Sequence, residues 1–270
     1  MSTIGVFRKD FLDVRRARIV WFVCGVYTLL MALLFYVERG SDEITEPLGA
    51  MTGIGLVLLP LVALVAAYLA IAGERESGSI KYLLSLPNSR LDVVLGKFLS
   101  RSLVIVGAIV LAFTVAAVMG VAWYASFDVG LFLQALGLVI LYVLAYVSIS
   151  VGVSAAFSTR SRAVGGAIGV YFVTVLLTAL QLIQVSLNYL SDELGLGLSR
   201  DTITFIQAAI SPAAAYQQLF AELFFENSPA PAGEETVWYL QSEVMVGLLL
   251  VWIVAPLAVG YLVFRRSDLG

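Results

Sequence analysis

Six stretches of this chain run for the length of a membrane span without an Asp, Glu, Lys or Arg: residues 19–37, 53–72, 102–123, 131–157, 164–187 and 244–264. A helix needs about 20 apolar residues to cross the hydrocarbon core. Six such runs in 270 residues leave little chain for a water-facing domain. The balance agrees: 60% of residues are hydrophobic and 13% charged, whereas soluble domains average about 45–50% and 25%. The expected fold class is therefore an all-α membrane protein of six transmembrane helices, forming a single domain over 1–270.

Lys and Arg set the orientation, because they accumulate in cytoplasmic loops. Fourteen of the 16 lie in alternate segments: Arg8, Lys9, Arg15, Arg16, Arg18; Arg75, Lys81, Arg90, Lys97, Arg101; Arg160, Arg162; Arg265, Arg266. The intervening segments hold Arg39 and Arg200 alone, and carry acids such as Asp42, Glu43, Glu46, Asp192, Glu193, Glu234 and Glu235. This split predicts an even number of spans, both termini in the cytoplasm, and a multi-pass protein of the plasma membrane.

The composition also excludes chemistry. Uncharged spans argue against a proton-coupled carrier or an ion pump, which need buried charges. The chain has no histidine, the usual general base and metal ligand near neutral pH. Its one cysteine, Cys24, can form neither an intramolecular disulfide nor a paired-thiol site. Neither Glu74/Glu76 nor Glu234/Glu235 sits where an acid–base dyad would work. No catalytic residue and no metal site is expected, and a net charge of −3 argues against a nucleic-acid partner. A phosphate-binding loop of the form GxxxxGK[ST] is missing as well. Gly96-Lys97 is followed by Phe98.

Three segments outside the spans carry structure. In residues 1–18, Ile4, Phe7, Phe11 and Val14 recur at helical spacing between basic residues, which predicts an amphipathic helix in the inner interface rather than a cleaved signal. Residues 74–101 read as a helix–turn–helix elbow. Ile80, Leu83 and Leu84 mark a first helix, Pro87 breaks it, and Ser89 with Asp92 three residues on caps a second that continues into the third span. Residues 188–243 contain Phe205, Tyr216, Phe220, Phe224 and Phe225, too aromatic for a disordered linker. They predict two helices on the outer surface, one from near Ser199 and one after Pro212, followed by a loop over 227–235.

The elbow reads Glu74-Arg75-Glu76-Ser77-Gly78-Ser79-Ile80, then Leu83-Leu84-Ser85-Leu86-Pro87 with Ser89-Arg90, then Gly96-Lys97-Phe98. This resembles the segment after the second span of ABC-2 type transporter permeases. Ser211-Pro212-Ala213-Ala214-Ala215-Tyr216-Gln217-Gln218-Leu219 is similar to a stretch in the subgroup that serves nitrous-oxide-reductase maturation. The resemblance implies a half-transporter working as a homodimer or a permease pair with two copies of an ABC ATPase subunit, where ATP and Mg bind; this chain itself would hold no cofactor. It implies that the elbow docks on the ATPase, with Glu74 and Gly78 shaping it and Leu86, Pro87, Ser89 and Arg90 at its tip. Export is the direction it implies.

Two further readings concern the spans. Gln181, Gln184 and Asn188, at i, i+3 and i+7, could line an outer vestibule or bond between helices. Gly165 and Gly169, with Gly152 and Ala156, are spaced for close helix packing, within one subunit or at a dimer seam. Pro60 and Pro256 fall mid-span and should kink their helices. Two rivals to the transporter reading are a membrane scaffold that binds a partner through its outer helices and a membrane-embedded enzyme.

Overall fold

A computed structural model describes residues 3–15, 18–40, 43–86, 88–225 and 237–267 of the chain. The predicted elbow residue Pro87 and loop 227–235 lie outside the described residues, and the described residues form helices joined by short connections.

Helix α1, Thr3–Arg15, forms where the N-terminal amphipathic helix is predicted. It packs along the first part of α6, and the residues facing α6 are Val6 and Asp10, both buried, whereas Ile4 of the predicted apolar stripe is exposed. A strip left exposed beside the bundle is where lipid would lie. Helix α2, Arg18–Val37, coincides with the first apolar run, and α3, Thr45–Ala67, with the second. The elbow comprises α4, Ala72–Glu76, and α5, Ser79–Ser85. Helix α6, Arg90–Trp123, is a single 34-residue helix, about 51 Å at 1.5 Å per residue. It is far longer than the hydrocarbon core and so unites the second elbow helix with a span, as the sequence pattern predicts. Helix α7, Val129–Ala156, is the best-buried span, and α12, Ser242–Arg266, packs along it.

Among the described residues five helical stretches are long and apolar enough to cross a membrane: Thr45–Glu76, α6, α7, α8 (Arg160–Ala179) and α12. In α2 the described apolar part is the shorter Gly25–Val37.

The predicted fifth span over 164–187 requires correction. Helix α8 contains a π-helical turn at Phe172–Leu176 and stops at Ala179. Gln181 then adopts a left-handed φ of 56°, and a separate helix α9, Leu182–Glu193, begins after it. A left-handed non-glycine residue cannot continue a right-handed helix. The break carries no charge or proline, so an apolar-run reading passes straight over it.

The outer helices depart from expectation in a second way. Helices α10, Arg200–Ile210, and α11, Pro212–Phe225, form where predicted, with Ser199 and Pro212 at their starts. Their junction does not lie on the surface. Ser211, Ala213, Ala215 and Tyr216 at their junction are fully buried. The Ser211 hydroxyl donates to the Thr174 carbonyl at 2.6 Å and pairs with the Thr178 hydroxyl at 3.0 Å, while the Tyr216 hydroxyl donates to the Thr52 carbonyl at 2.6 Å. At 11 and 14 residues the two helices are too short to cross. They form a hairpin that dips into the bundle, a backbone turn tolerated at depth because protein surrounds it.

Candidate functional site

The elbow is built on a series of caps. Ser154 Oγ on α7 accepts the backbone N–H groups of Ile71 and Ala72 at 2.9 and 3.0 Å, so a neighbouring helix caps the start of α4. Gly78 joins α4 to α5 with φ +75°, a left-handed turn; a Cβ there would meet nothing within 4 Å, so the backbone angle and not crowding calls for glycine. Asn88 Nδ2 donates to the Leu83 carbonyl at 2.9 Å and closes the end of α5. Ser89 and Asp92 complete the predicted capping box: Ser89 Oγ accepts Asp92 N–H at 3.1 Å and Asp92 Oδ2 accepts Ser89 N–H at 2.9 Å. Asp92 also accepts the Thr3 hydroxyl and so holds the start of α1. Hydrogen bonds from Ser89 and Thr3 pull its carboxyl down to about 2.

Beneath the elbow lies an ionic cluster that sequence reasoning missed. Lys97 is 2% exposed and Asp10 4% exposed. Lys97 Nζ donates to Asp10 Oδ1 at 2.9 Å and to Glu74 Oε1 at 3.0 Å. Arg101 grips the same aspartate through Nε at 3.0 Å and Nη2 at 3.1 Å, and its Nη1 donates to the Ala66 carbonyl at 2.6 Å in the last turn of α3. The Ser100 hydroxyl also donates to Asp10. Burial pushes the Asp10 carboxyl up, but Lys97 and Arg101 more than offset this and hold it below the ordinary carboxylate range. One cluster thus joins α1, the end of α3, the elbow helix α4 and the long α6. Gly96 explains the Gly-Lys pair in steric terms: a Cβ there would stand 2.8 Å from Val6 Cβ, so glycine lets α1 close onto α6 and bring Asp10 to Lys97. The legible signal was Val6 and Asp10 at i, i+4, an acid directly after Arg8 and Lys9.

The predicted elbow residues separate into distinct roles. Glu74 turns inward to Lys97. Leu86 is 44% exposed, and Tyr82, which the motif did not single out, is 80% exposed. Arg90 is half-buried. Its Nη1 donates to the carbonyls of Phe264, Arg265 and Ser267, and its guanidinium lies 5.2 Å from the Phe264 ring centroid. It therefore caps the end of α12, a cation at a helix C-terminus. Arg75 does the same for α7, donating to Ala155 and Phe157 carbonyls at 3.1 and 3.2 Å.

The centre of the bundle holds hydroxyls in place of charges. Tyr142, Tyr146 and Tyr216 are fully buried. Pro60 lacks the N–H that would bond the Leu56 carbonyl, and the Tyr142 hydroxyl supplies the missing donor at 2.8 Å. Tyr142 stacks on Tyr216 at 4.0 Å between centroids, and Tyr146 pairs with Thr174 in the π-helical turn at 2.9 Å.

Gly165, Gly169, Gln181, Gln184 and Asn188 fall on α8, on α9 and at the break between them. Gln181 stands at the helix break, while Gln184 and Asn188 lie on α9; Gln181 and Asn188 are exposed and Gln184 is half-buried, so they do not form one stripe on a span. A Cβ on Gly165 or Gly169 would meet nothing within 4 Å, so neither packs a helix within the chain. The close approach belongs to Gly152 of α7 and Gly260 of α12, whose added Cβ atoms would run into the facing backbone. Among the described residues no group of three or more His, Cys, Asp or Glu could hold a metal ion.

The described residues thus form a bundle of long apolar helices with a capped elbow rooted at one end. Residues 4–269 match the family described as ABC-2 family transporter protein, and the chain belongs to that family: it is an ABC-2 permease subunit of an ABC transporter. It is similar to the probable ABC transporter permease protein NosY of Pseudomonas aeruginosa, 26% identical over 277 residues and 98% of both chains. NosY of Stutzerimonas stutzeri is 26% identical over 275 residues, 97% of each.

Proposed function

We propose that this chain is the membrane half of an ATP-driven exporter, coupled through its elbow to a separate ATPase subunit. Family membership implies an ATPase partner. The observation that carries the coupling role is the pairing of an exposed tip with a buried root. Tyr82 and Leu86 protrude, while Glu74 behind them is held by Lys97, itself bound to Asp10. A push at the tip is delivered to the long α6, to α3 and to α1 together, as rigid-body coupling needs. The docking tip is Tyr82, Leu86, Pro87 and Ser89, and Arg90 ties that tip to α12.

In the working unit two permease copies, or a permease pair, meet two ATPase copies that hold ATP and Mg. The chain crosses the plasma membrane six times with both termini in the cytoplasm. The 14-to-2 split of basic residues and the 20-residue α2 support this topology. Burial of the junction between α10 and α11 leaves less outer helix surface for a scaffolding partner. What the relatives' name records is permease activity; cargo is left to experiment.

The test is ATPase activity in the reconstituted complex. Tyr82→Asp with Leu86→Asp should abolish stimulation by the permease while leaving the permease folded. Unchanged stimulation would remove the elbow from the coupling path.

A further inference from the structure

At the acid-rich end of the bundle a cavity of about 380 Å³ opens between α7, α11 and α12. Its polar residues are Gln134, Glu222 and Ser242, and the rest of its wall includes Leu138, Leu141 and Leu223. Three helices contribute to one recess, and the Ser242 hydroxyl donates to Glu222 Oε1, fixing the carboxylate at the wall. Among the described residues no Lys or Arg pairs with Glu222. Gln134 lies five residues past the first residue of α7 and Leu141 twelve, so at 1.5 Å per residue the recess runs from about 8 to about 18 Å along that helix. Its volume falls within the range of about 300–1,000 Å³ typical of ligand sites.

We propose that this cavity binds an amphiphile with a primary ammonium head, the head against Glu222 and Gln134 and its alkyl chain along Leu138 and Leu141. An ammonium offers three donors and a positive charge to a carboxylate and an amide oxygen. An anionic head would meet Glu222 with like charge. Two sources share this chemistry: the aminophospholipid of the surrounding leaflet and a free alkylamine.

The full chain is placed in nanodiscs of phosphatidylethanolamine and phosphatidylglycerol, and retained lipid is counted by native mass spectrometry after detergent extraction; dodecylamine binding is titrated separately. Wild type should retain phosphatidylethanolamine over phosphatidylglycerol, or bind dodecylamine, and Glu222→Gln should weaken whichever is seen by about tenfold. Gly137 lines the same cavity and an added Cβ there meets nothing within 4 Å, so the side chain of Gly137→Leu starts into open space and should block binding in a protein that still folds. Selective phosphatidylethanolamine retention identifies a resident lipid; dodecylamine binding without lipid selectivity identifies a free amphiphile. Equal retention of both phospholipids together with dodecylamine binding unaffected by both substitutions overturns the proposal. None of these readouts involves the ATPase, so the result is independent of the coupling role.

Discussion

The basic end of the molecule and its centre both bury polar side chains, but by opposite means. At the basic end, Asp10, Lys97, Arg101 and Glu74 are joined by ion pairs. At the centre, Tyr142, Tyr146, Tyr216, Thr174 and Ser211 join helices through neutral hydroxyls. Transfer of a charge into hydrocarbon costs far more than transfer of a hydroxyl that has found a carbonyl. Among the described residues the ion pairs lie outside the uncharged runs, where they can specify one geometry, and the spans rely on many small hydrogen bonds.

The largest expected effect breaks the root. Asp10→Ala leaves Lys97 and Arg101 buried without their shared partner, which should cost about 3–5 kcal/mol and appear as a large fall in thermal stability in nanodiscs. If the loss equals that of an exposed substitution such as Lys9→Ala, the two regions do not differ as stated. The root should also respond to acid. The Asp10 and Asp92 carboxyls are lowered, so their contribution is complete above the unfolded aspartate value of about 3.9 and is lost as pH falls through the folded values. Protection factors of the α1 amides, exchange rates taken relative to the intrinsic rate at each pH, should be unchanged between about pH 5 and 8 and should fall below about pH 4.

Next comes the contact between α7 and α12. Gly152→Ala places a methyl group against the backbone near Pro256 and should destabilise by about 1–3 kcal/mol. The same change at Gly165 or Gly169, where space is open, should leave monomer stability nearly unaltered. A penalty there comparable to that at Gly152, seen by thermal unfolding, would restore those glycines to the packing role.

The smallest effect sharpens the description of the centre. Tyr142→Phe removes the donor to the Leu56 carbonyl and should cost about 0.5–2 kcal/mol. Pro60→Ala restores a backbone donor to that carbonyl, so the double variant should lose less than the two single changes added together. Strict additivity would show that Tyr142 does not stand in for the missing N–H.

Much of this architecture is legible along the chain because it depends on local composition. Apolar runs locate α2, α3, α6, α7 and α12, and Ser89 with Asp92 locates the capping box. The root was half legible: Glu74 and Lys97 stand out in the elbow motif, while Asp10 lies 87 residues from Lys97 and looks like one more charge on an interfacial helix. The docking of α1 decides its role, and that docking depends on the missing side chain of Gly96.

The sequence by itself determined that the chain is helical, embedded in a membrane and basic at one end, because hydrophobicity and charge act on each segment independently of the rest. Only the tertiary structure decided that the fifth apolar run breaks at Gln181, that the Ser211 turn is buried, and which glycines touch. The last two depend on partners contributed from distant segments: the Thr174 carbonyl, the Thr52 carbonyl and the backbone of Pro256. A buried turn is stable only once such partners surround it.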